Sequence, residues 1–125
     1  MSEELNTAGI SDEETVLCGA SAYSRLFYLN ENFDSLPDEI KKELKILCVT
    51  HTAEVGGNIM LIFDEDGNLY FRTDANESDF SYDEIGSGLK IHALETEKRD
   101  LLEELETYYK VFFLGETGEE GKGED

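Results

Sequence analysis

The strongest constraint on the fold is a run of five apolar residues from Ile59 to Phe63, followed closely by Asp66-Gly67. Because both alternating sets of side chains in this run are apolar, a strand here must be covered on both faces, which is typical of the centre of a sheet. Asp-Gly is a frequent pair in tight hairpin turns, where the glycine adopts a positive φ. Residues 58–64 are therefore predicted to form a central strand that turns at Asp66-Gly67 and pairs with residues 69–73.

A helix is predicted before this strand. The segment SLPD at residues 35–38 is typical of a helix start, where serine caps free amides and proline tolerates the first turn. Gly56 and Gly57 mark the expected end. Ile46 and Val49 lie outside the main apolar face of this helix. That face follows the i, i+4, i+7 spacing and consists of Ile40, Leu44, Leu47, Cys48, His51 and Val55.

The last segment combines a long apolar stripe with a change of phase. From Ile91 onward the stripe lies within a helical sector of about 120°, whereas Ile85 and Leu89 lie roughly on the opposite side. Gly86 and Gly88 lie where the phase changes, and glycine both weakens a helix and permits unusual dihedral angles. A short turn before the glycines and a long helix after them are therefore predicted. The alternative is that the glycines only allow close packing against the first helix.

Such a break would bring the residues around the glycines to the mouth of the sheet, where a ligand or peptide can approach closely. Lys98 is singled out separately, because it lies within the apolar stripe of the last helix. A lysine there extends its ammonium group into water, forms an ion pair with an acid from the sheet, or provides a charge that binds a partner. The candidate residues for ligand or partner binding are Tyr82, Asp83, Glu84, Gly86, Gly88 and Lys98.

Two further strand-like runs, residues 15–18 and 23–29, precede the first helix and are joined by GASA at residues 19–22. The element order is then ββαββα, with a further extended piece expected near Phe80. This order predicts an α+β fold in which two helices pack on an antiparallel sheet.

Both ends of the chain are predicted to be disordered tails. Residues 1–14 carry five acids and no base, and residues 115–125 carry five acids, one lysine and four glycines. Neither end can bury enough apolar surface to offset its ordering entropy. The tails account for −5 and −4 of the formal charge of −20, which leaves −11 on a single α+β domain predicted for residues 15–114.

The acidic balance excludes several classes of partner. Thirty acidic residues against 10 basic ones repel nucleic-acid phosphates and anionic lipids, so neither nucleic acid nor a membrane is expected as a partner. A protein partner, with a basic surface as one option, is compatible with this field. The acidic N-terminus does not resemble a secretory signal, which predicts a cytoplasmic protein.

No pattern predicts a catalytic residue, a cofactor or a metal site. Cys48 and His51 lie three apart on one helix face, but a zinc site needs three or four ligands and Cys18 and His92 are the only other typical donors. Nothing places a cysteine or serine nucleophile beside either histidine. Both cysteines lie in apolar surroundings and are expected to be reduced and buried.

Several segments resemble a family of small, acidic, uncharacterised proteins from Clostridia-like Firmicutes, classified as a domain of unknown function. The resemblance covers roughly residues 15–113. It implies a bacterial cytosolic protein and supplies no activity or catalytic residues. The segments that carry it are VLCGA at residues 16–20, YLNE at 28–31, FDEDGN at 63–68 and YDEIGSGLKI at 82–91.

Small size, the acidic field and the lack of a catalytic motif favour a non-catalytic protein-binding module. A homodimer is one expected arrangement, because Ile46 and Val49 give the first helix a second apolar face. The alternative is an antitoxin or immunity-like inhibitor whose acids occupy the basic site of a cationic toxin. A third hypothesis is a small hydrolase or ligand-binding enzyme, for which a deep pocket should hold His51 or His92 beside a carboxylate.

Overall fold

The computed structural model describes residues 12–116. Its strands are β1 (Thr15–Ser21), β2 (Leu26–Leu29), β3 (Asn58–Phe63) and β4 (Leu69–Asp74), and its helices are α1 (Asp38–Val55), α2 (Glu84–Glu97) and α3 (Arg99–Phe112). A short 3₁₀ turn, Glu31–Phe33, precedes α1. All strand pairs are antiparallel in the order β2-β1-β3-β4. The α+β class is confirmed, but the order is ββ-α-ββ-αα instead of ββαββα.

The hairpin between β3 and β4 is confirmed, with a longer loop than predicted. Gly67 has the positive φ expected of the turn, +88°. The amides of Asp66 and Asn68 both donate to Asp64 Oδ1 at 2.9 Å, and the Asp64 amide donates to the Asn68 carbonyl at 2.9 Å. Gly67 therefore occupies the left-handed position that follows a turn in a three-residue loop.

The turn predicted at residues 19–22 is wrong. β1 runs on to Ser21, and the chain turns at residues 22–25, where Arg25 has a φ of 61°. β1 is a central strand, so Gly19 pairs with Tyr28 on one side and with Met60 on the other. Hydrogen bonding on both sides outweighs the weak strand propensity of its small residues.

The core lies between the sheet and its helices. Phe63 of β3 stacks on Phe33 of the 3₁₀ turn and on Tyr109 of α3, with ring centroids 5.7 Å and 4.1 Å apart. The predicted apolar face of α1 is confirmed, because Ile40 is partly buried and the other members are buried: Leu44, Leu47, Cys48, His51 and Val55.

The start of α1 differs from the prediction. Pro37 is the residue before the helix, and no side chain caps the free amides. Ser35 Oγ instead shares a hydrogen bond of 2.6 Å with the Tyr108 hydroxyl of α3. The expectation that serine caps this helix is therefore wrong, because α3 provides the hydroxyl with another partner.

The helix break predicted at residues 86–88 is also wrong. α2 runs uninterrupted through the glycines. The helical conformation is interrupted at Lys98, where φ is −107° and ψ is 21°. Ile85 and Leu89 are 79% and 68% exposed. The phase change in the sequence therefore marks exposed apolar side chains and not a second buried face. Nor is there a strand near Phe80, because residues 75–83 form a loop with turns.

The other side of the sheet is also apolar at its centre. Met60 and Ile62 of β3 are buried there, opposite Arg72 and Tyr70 of β4. The Tyr70 hydroxyl donates to the Glu14 carboxylate, and Arg72 Nη2 lies 3.2 Å from Glu14 Oε2. Glu14, the residue before β1, thus links the start of that strand to β4 across β3.

The tails predicted for residues 1–14 and 115–125 fall mainly on residues 1–11 and 117–125, which lie outside the described part of the chain. Between residues 12 and 116, no helix combines the length and the apolar character that crossing a membrane requires.

Candidate functional site

The predicted site residues lie in two separate places. One group lies around the start of α2: Tyr82 and Asp83 precede the helix, and Glu84, Gly86 and Gly88 lie in its first turns. Lys98 follows the last residue of α2. The helical rise separates Gly88 from Lys98 by about 15 Å. At the start of α2, Asp83 Oδ1 accepts a hydrogen bond of 2.9 Å from the Gly86 amide and so caps the helix. The structure therefore does not bring Lys98 together with Tyr82, Asp83, Glu84, Gly86 and Gly88.

The two glycines of α2 have different surroundings. A Cβ on Gly86 would overlap the capping carboxylate of Asp83, and a Cβ on Gly88 would meet nothing within 4 Å. Ser87, between them, is the residue that faces α1 and is buried. The absence of a Cβ at Gly86 thus leaves room for the cap, while Gly88 lies in open space.

A polar depression of about 580 Å³ adjoins the start of α2. Asp79 in its wall accepts hydrogen bonds from the Tyr23 hydroxyl at 2.6 Å and from Ser81 Oγ at 2.7 Å. These two bonds lower the pKa of Asp79. Its carboxylate therefore holds the loop itself together. The depression is lined by Thr73, Asp74, Ala75, Asn76, Asp79, Tyr82, Glu84 and Gly88.

A groove of about 520 Å³ runs between α1 and α2, which lie antiparallel. An ion pair between Glu54 and Lys90 joins the helices near one end, and Lys98 Nζ lies 3.0 Å from Glu43 Oε2 near the other. The two pairs are about 16 Å apart along α1. The acid that pairs with Lys98 thus comes from α1 and not from the sheet. This α1–α2 groove is lined by Glu39, Lys42, Glu43, Ile46, Leu47, Thr50, His51, Lys90, Ala93, Leu94, Glu97 and Lys98.

The lining of the groove is apolar at the base and mixed in charge at the rim. Leu47 is buried and Leu94 is partly buried, whereas Ile46 is 58% exposed. The charged lining consists of three lysines and three glutamates. The groove is therefore locally balanced in charge although the chain as a whole carries −20.

His51 and Ser87 meet beneath this groove. His51 Nε2 and Ser87 Oγ share a hydrogen bond of 3.1 Å, and each residue is only 1% exposed. His51 Nδ1 is buried and has no hydrogen-bond partner within residues 12–116. Burial lowers the pKa of His51, nearby Lys90 lowers it further, and Glu54 partly opposes the effect. The neutral imidazole therefore joins α1 to α2.

Acidification is expected to weaken the fold through His51. The unfolded state takes up a proton near pH 6.5, whereas the folded state resists protonation until lower pH, so stability falls as the pH drops through this window. Urea unfolding at about pH 7.5 and about pH 5.5 measures the loss. His51→Gln should lose less stability than the native chain, and the exposed-site control His92→Gln should lose as much. Equal losses in all three proteins would contradict this role, and so would proton NMR showing His51 already charged near pH 6.5.

The cysteines form a second buried pair. Cys18 Sγ and Cys48 Sγ lie 3.9 Å apart, both are free thiols, and both are fully buried. Burial raises the pKa of the Cys18 thiol, which makes it a poor nucleophile at neutral pH. Within the described residues, no group of three or more His, Cys, Asp or Glu side chains is placed to hold a metal ion.

Comparison with family models gives a match over residues 14–117, nearly the whole of the described chain. The chain belongs to the DUF6145 family. DUF6145 is described as a family of unknown function, so the expectation of a family without an assigned function is confirmed, and the match assigns no activity. Neither a search of curated proteins nor one of solved structures gave a significant match.

The residues of the candidate groove that the sequence did not indicate lie mainly on α2 of this DUF6145 protein. Lys90 and Leu94 contribute to the α1–α2 groove, and Ser87 bonds to His51 beneath it. Their role depends on the antiparallel pairing of two helices that are far apart in sequence. Two signals in the sequence did indicate this groove: helical phase placed Ile46 outside the buried face of α1, and Lys98, singled out within the apolar stripe of the last helix, also lines the groove.

Proposed function

We propose that this DUF6145 protein is a non-catalytic protein-binding module that acts in the bacterial cytoplasm and binds its partner along the α1–α2 groove. The observation that carries the proposal is the exposed side chain of Ile46 on the rim of a groove with Leu47 and Leu94 at its base. Large exposed apolar side chains beside a groove with an apolar base are typical of protein interfaces.

The length and shape of the groove suit a helical segment. The distance of about 16 Å between the two interhelical ion pairs corresponds to about three helical turns. A helix that docks in such a groove presents apolar anchors at i, i+3, i+4 and i+7. The lysines and glutamates of the rim can then pair with either sign of charge on the partner.

The chemistry of the groove supports binding over catalysis. His51 and Ser87 have the residue types of a nucleophile and base, but both are buried and are engaged with each other. A base that activates serine is normally oriented by a third group, and His51 Nδ1 has no such partner in the part of the chain that the structure describes. The hydrogen bond between them is thus better suited to holding the two helices together.

Photo-crosslinking tests the proposal. A photoreactive amino acid in place of Ile46 is expected to capture a defined protein in cells, whereas the same amino acid in place of Glu103, on the exposed acidic face of α3, should capture none. With the captured protein purified, Ile46→Asp should weaken binding at least about tenfold. The matched control Ile85→Asp changes an exposed isoleucine outside the groove and should leave the affinity unchanged.

Two outcomes would overturn the proposal. One is capture of a basic protein from position 103 and none from position 46, which would favour the acidic-inhibitor hypothesis instead. The other is equal weakening by Ile46→Asp and Ile85→Asp, because a specific groove cannot respond to both.

A further inference from the structure

The outward side of α1 is a ridge between two depressions. Lys42, Ile46, Val49 and Ala53 follow the i, i+4, i+7, i+11 spacing, so they share one face of the helix, and all four are exposed. We call these four residues the α1 ridge. On one side lies the α1–α2 groove, and on the other a depression of about 450 Å³ between α1 and β2.

The depression between α1 and β2 is lined mainly by apolar and small side chains. Val49 and Ala53 of the ridge form one wall, and Leu26 of the edge strand β2 forms part of the other. Val49 is 42% exposed and Leu26 is 46% exposed. Helices pack on one another by placing ridges of side chains into grooves. The surface therefore offers both parts of such a packing, a ridge and a groove.

The charge of the two depressions points to the same partner. Their linings hold four of the chain's 10 basic residues, Arg25, Lys42, Lys90 and Lys98, against three acids, Glu39, Glu43 and Glu97. Elsewhere the −20 chain repels acidic proteins and attracts basic ones. A basic partner gains little from a locally balanced surface, whereas an acidic partner meets the least repulsion there.

We propose that a second copy of this chain packs on the α1 ridge, with the ridge of each protomer seated in a depression of the other around a two-fold axis near Ile46 and Val49. A two-fold interface uses the same patch on both protomers, which is what a ridge flanked by grooves provides. This inference rests on the proposed binding function and specifies its partner.

Light scattering after size exclusion tests the assembly with the full chain. The native protein should have a concentration-dependent mass that approaches twice 14.1 kDa. Added NaCl should strengthen the dimer, because salt screens the repulsion between acidic protomers. Ile46→Asp and Val49→Asp should each give monomers with unchanged circular dichroism, since both side chains are exposed in the protomer. The matched control Ile85→Asp should remain dimeric.

Covalent trapping tests the geometry. The native cysteines are fully buried, so a surface cysteine reacts selectively with a short bis-maleimide. Residues near a two-fold axis meet their own copies, so Val49→Cys and Ile46→Cys should form covalent dimers and Leu89→Cys should not. A monomer at every concentration overturns the second copy while leaving the crosslinking test of the groove intact. A dimer that persists in both Asp variants, or that Leu89→Cys traps equally well, overturns this surface as the interface.

Discussion

Replacing Phe63 with alanine is expected to lower the free energy of unfolding by about 3–5 kcal/mol. Phe63 is fully buried at the end of β3 and stacks on Tyr109 of α3 and Phe33 before α1. Truncation removes the stacking contacts with both rings and leaves a cavity that they cannot fill without moving. A loss of this size is a large share of the 5–15 kcal/mol that typically stabilises a domain. Urea unfolding at neutral pH measures it.

The matched control is Phe80→Ala, because Phe80 is 94% exposed in the loop before α2. This substitution should change stability by no more than about 0.5 kcal/mol. Equal losses for the two phenylalanines would contradict the assignment of Phe63 to the core. If Phe63→Ala fails to fold, Phe63→Leu provides a milder truncation that should still cost more than Phe80→Leu.

Gly57→Ala is expected to destabilise the fold by about 2–5 kcal/mol. Gly57 joins α1 to β3 with a φ of +70°, a conformation that costs a residue with a Cβ about 1–2 kcal/mol. A Cβ would also lie 2.5 Å from the Asp74 carbonyl oxygen and 2.7 Å from Tyr82 Cε1, and such overpacking adds about 1–3 kcal/mol. The carbonyl belongs to the backbone at the end of β4, so it cannot simply rotate away. Thermal and urea unfolding measure the loss.

The same substitution at Gly88 should have the opposite sign. Gly88 lies inside α2 with open space where a Cβ would be, so alanine should stabilise the helix by about 0.5–1 kcal/mol. Destabilisation by Gly88→Ala would instead indicate that residues 86–88 adopt a backbone conformation that favours glycine. A neutral effect of Gly57→Ala would mean that the α1–β3 junction is not packed closely against Asp74 and Tyr82.

The proposals for binding depend on one local and one long-range feature. Helical phase in the sequence was enough to place Ile46 and Val49 outside the buried face of α1, because a regular helix fixes which residues share a side. The groove beside them needs α2 to lie antiparallel to α1, and the contacts that hold it there join residues far apart in sequence, such as Glu43 with Lys98 and His51 with Ser87.

The candidate site at the start of α2 shows why the sequence misled. A change of apolar phase next to two glycines has two physical explanations, a break in the helix or a set of exposed apolar side chains. The apolar periodicity of the sequence is the same under both explanations. Only the packed structure shows that Ile85 and Leu89 are exposed and that the helix is interrupted at Lys98.

By itself the sequence determined the α+β class, the β3–β4 hairpin with its left-handed Gly67, and the buried face of α1. Each follows from interactions between residues close in the chain: strand alternation, turn stereochemistry and helical periodicity. Only the tertiary structure decided the extent of β1, the partner of Ser35, the division of the last helix at Lys98 and the α1–α2 groove. In these cases local preferences are weak or balanced, and the outcome depends on hydrogen bonds and packing with elements distant in sequence.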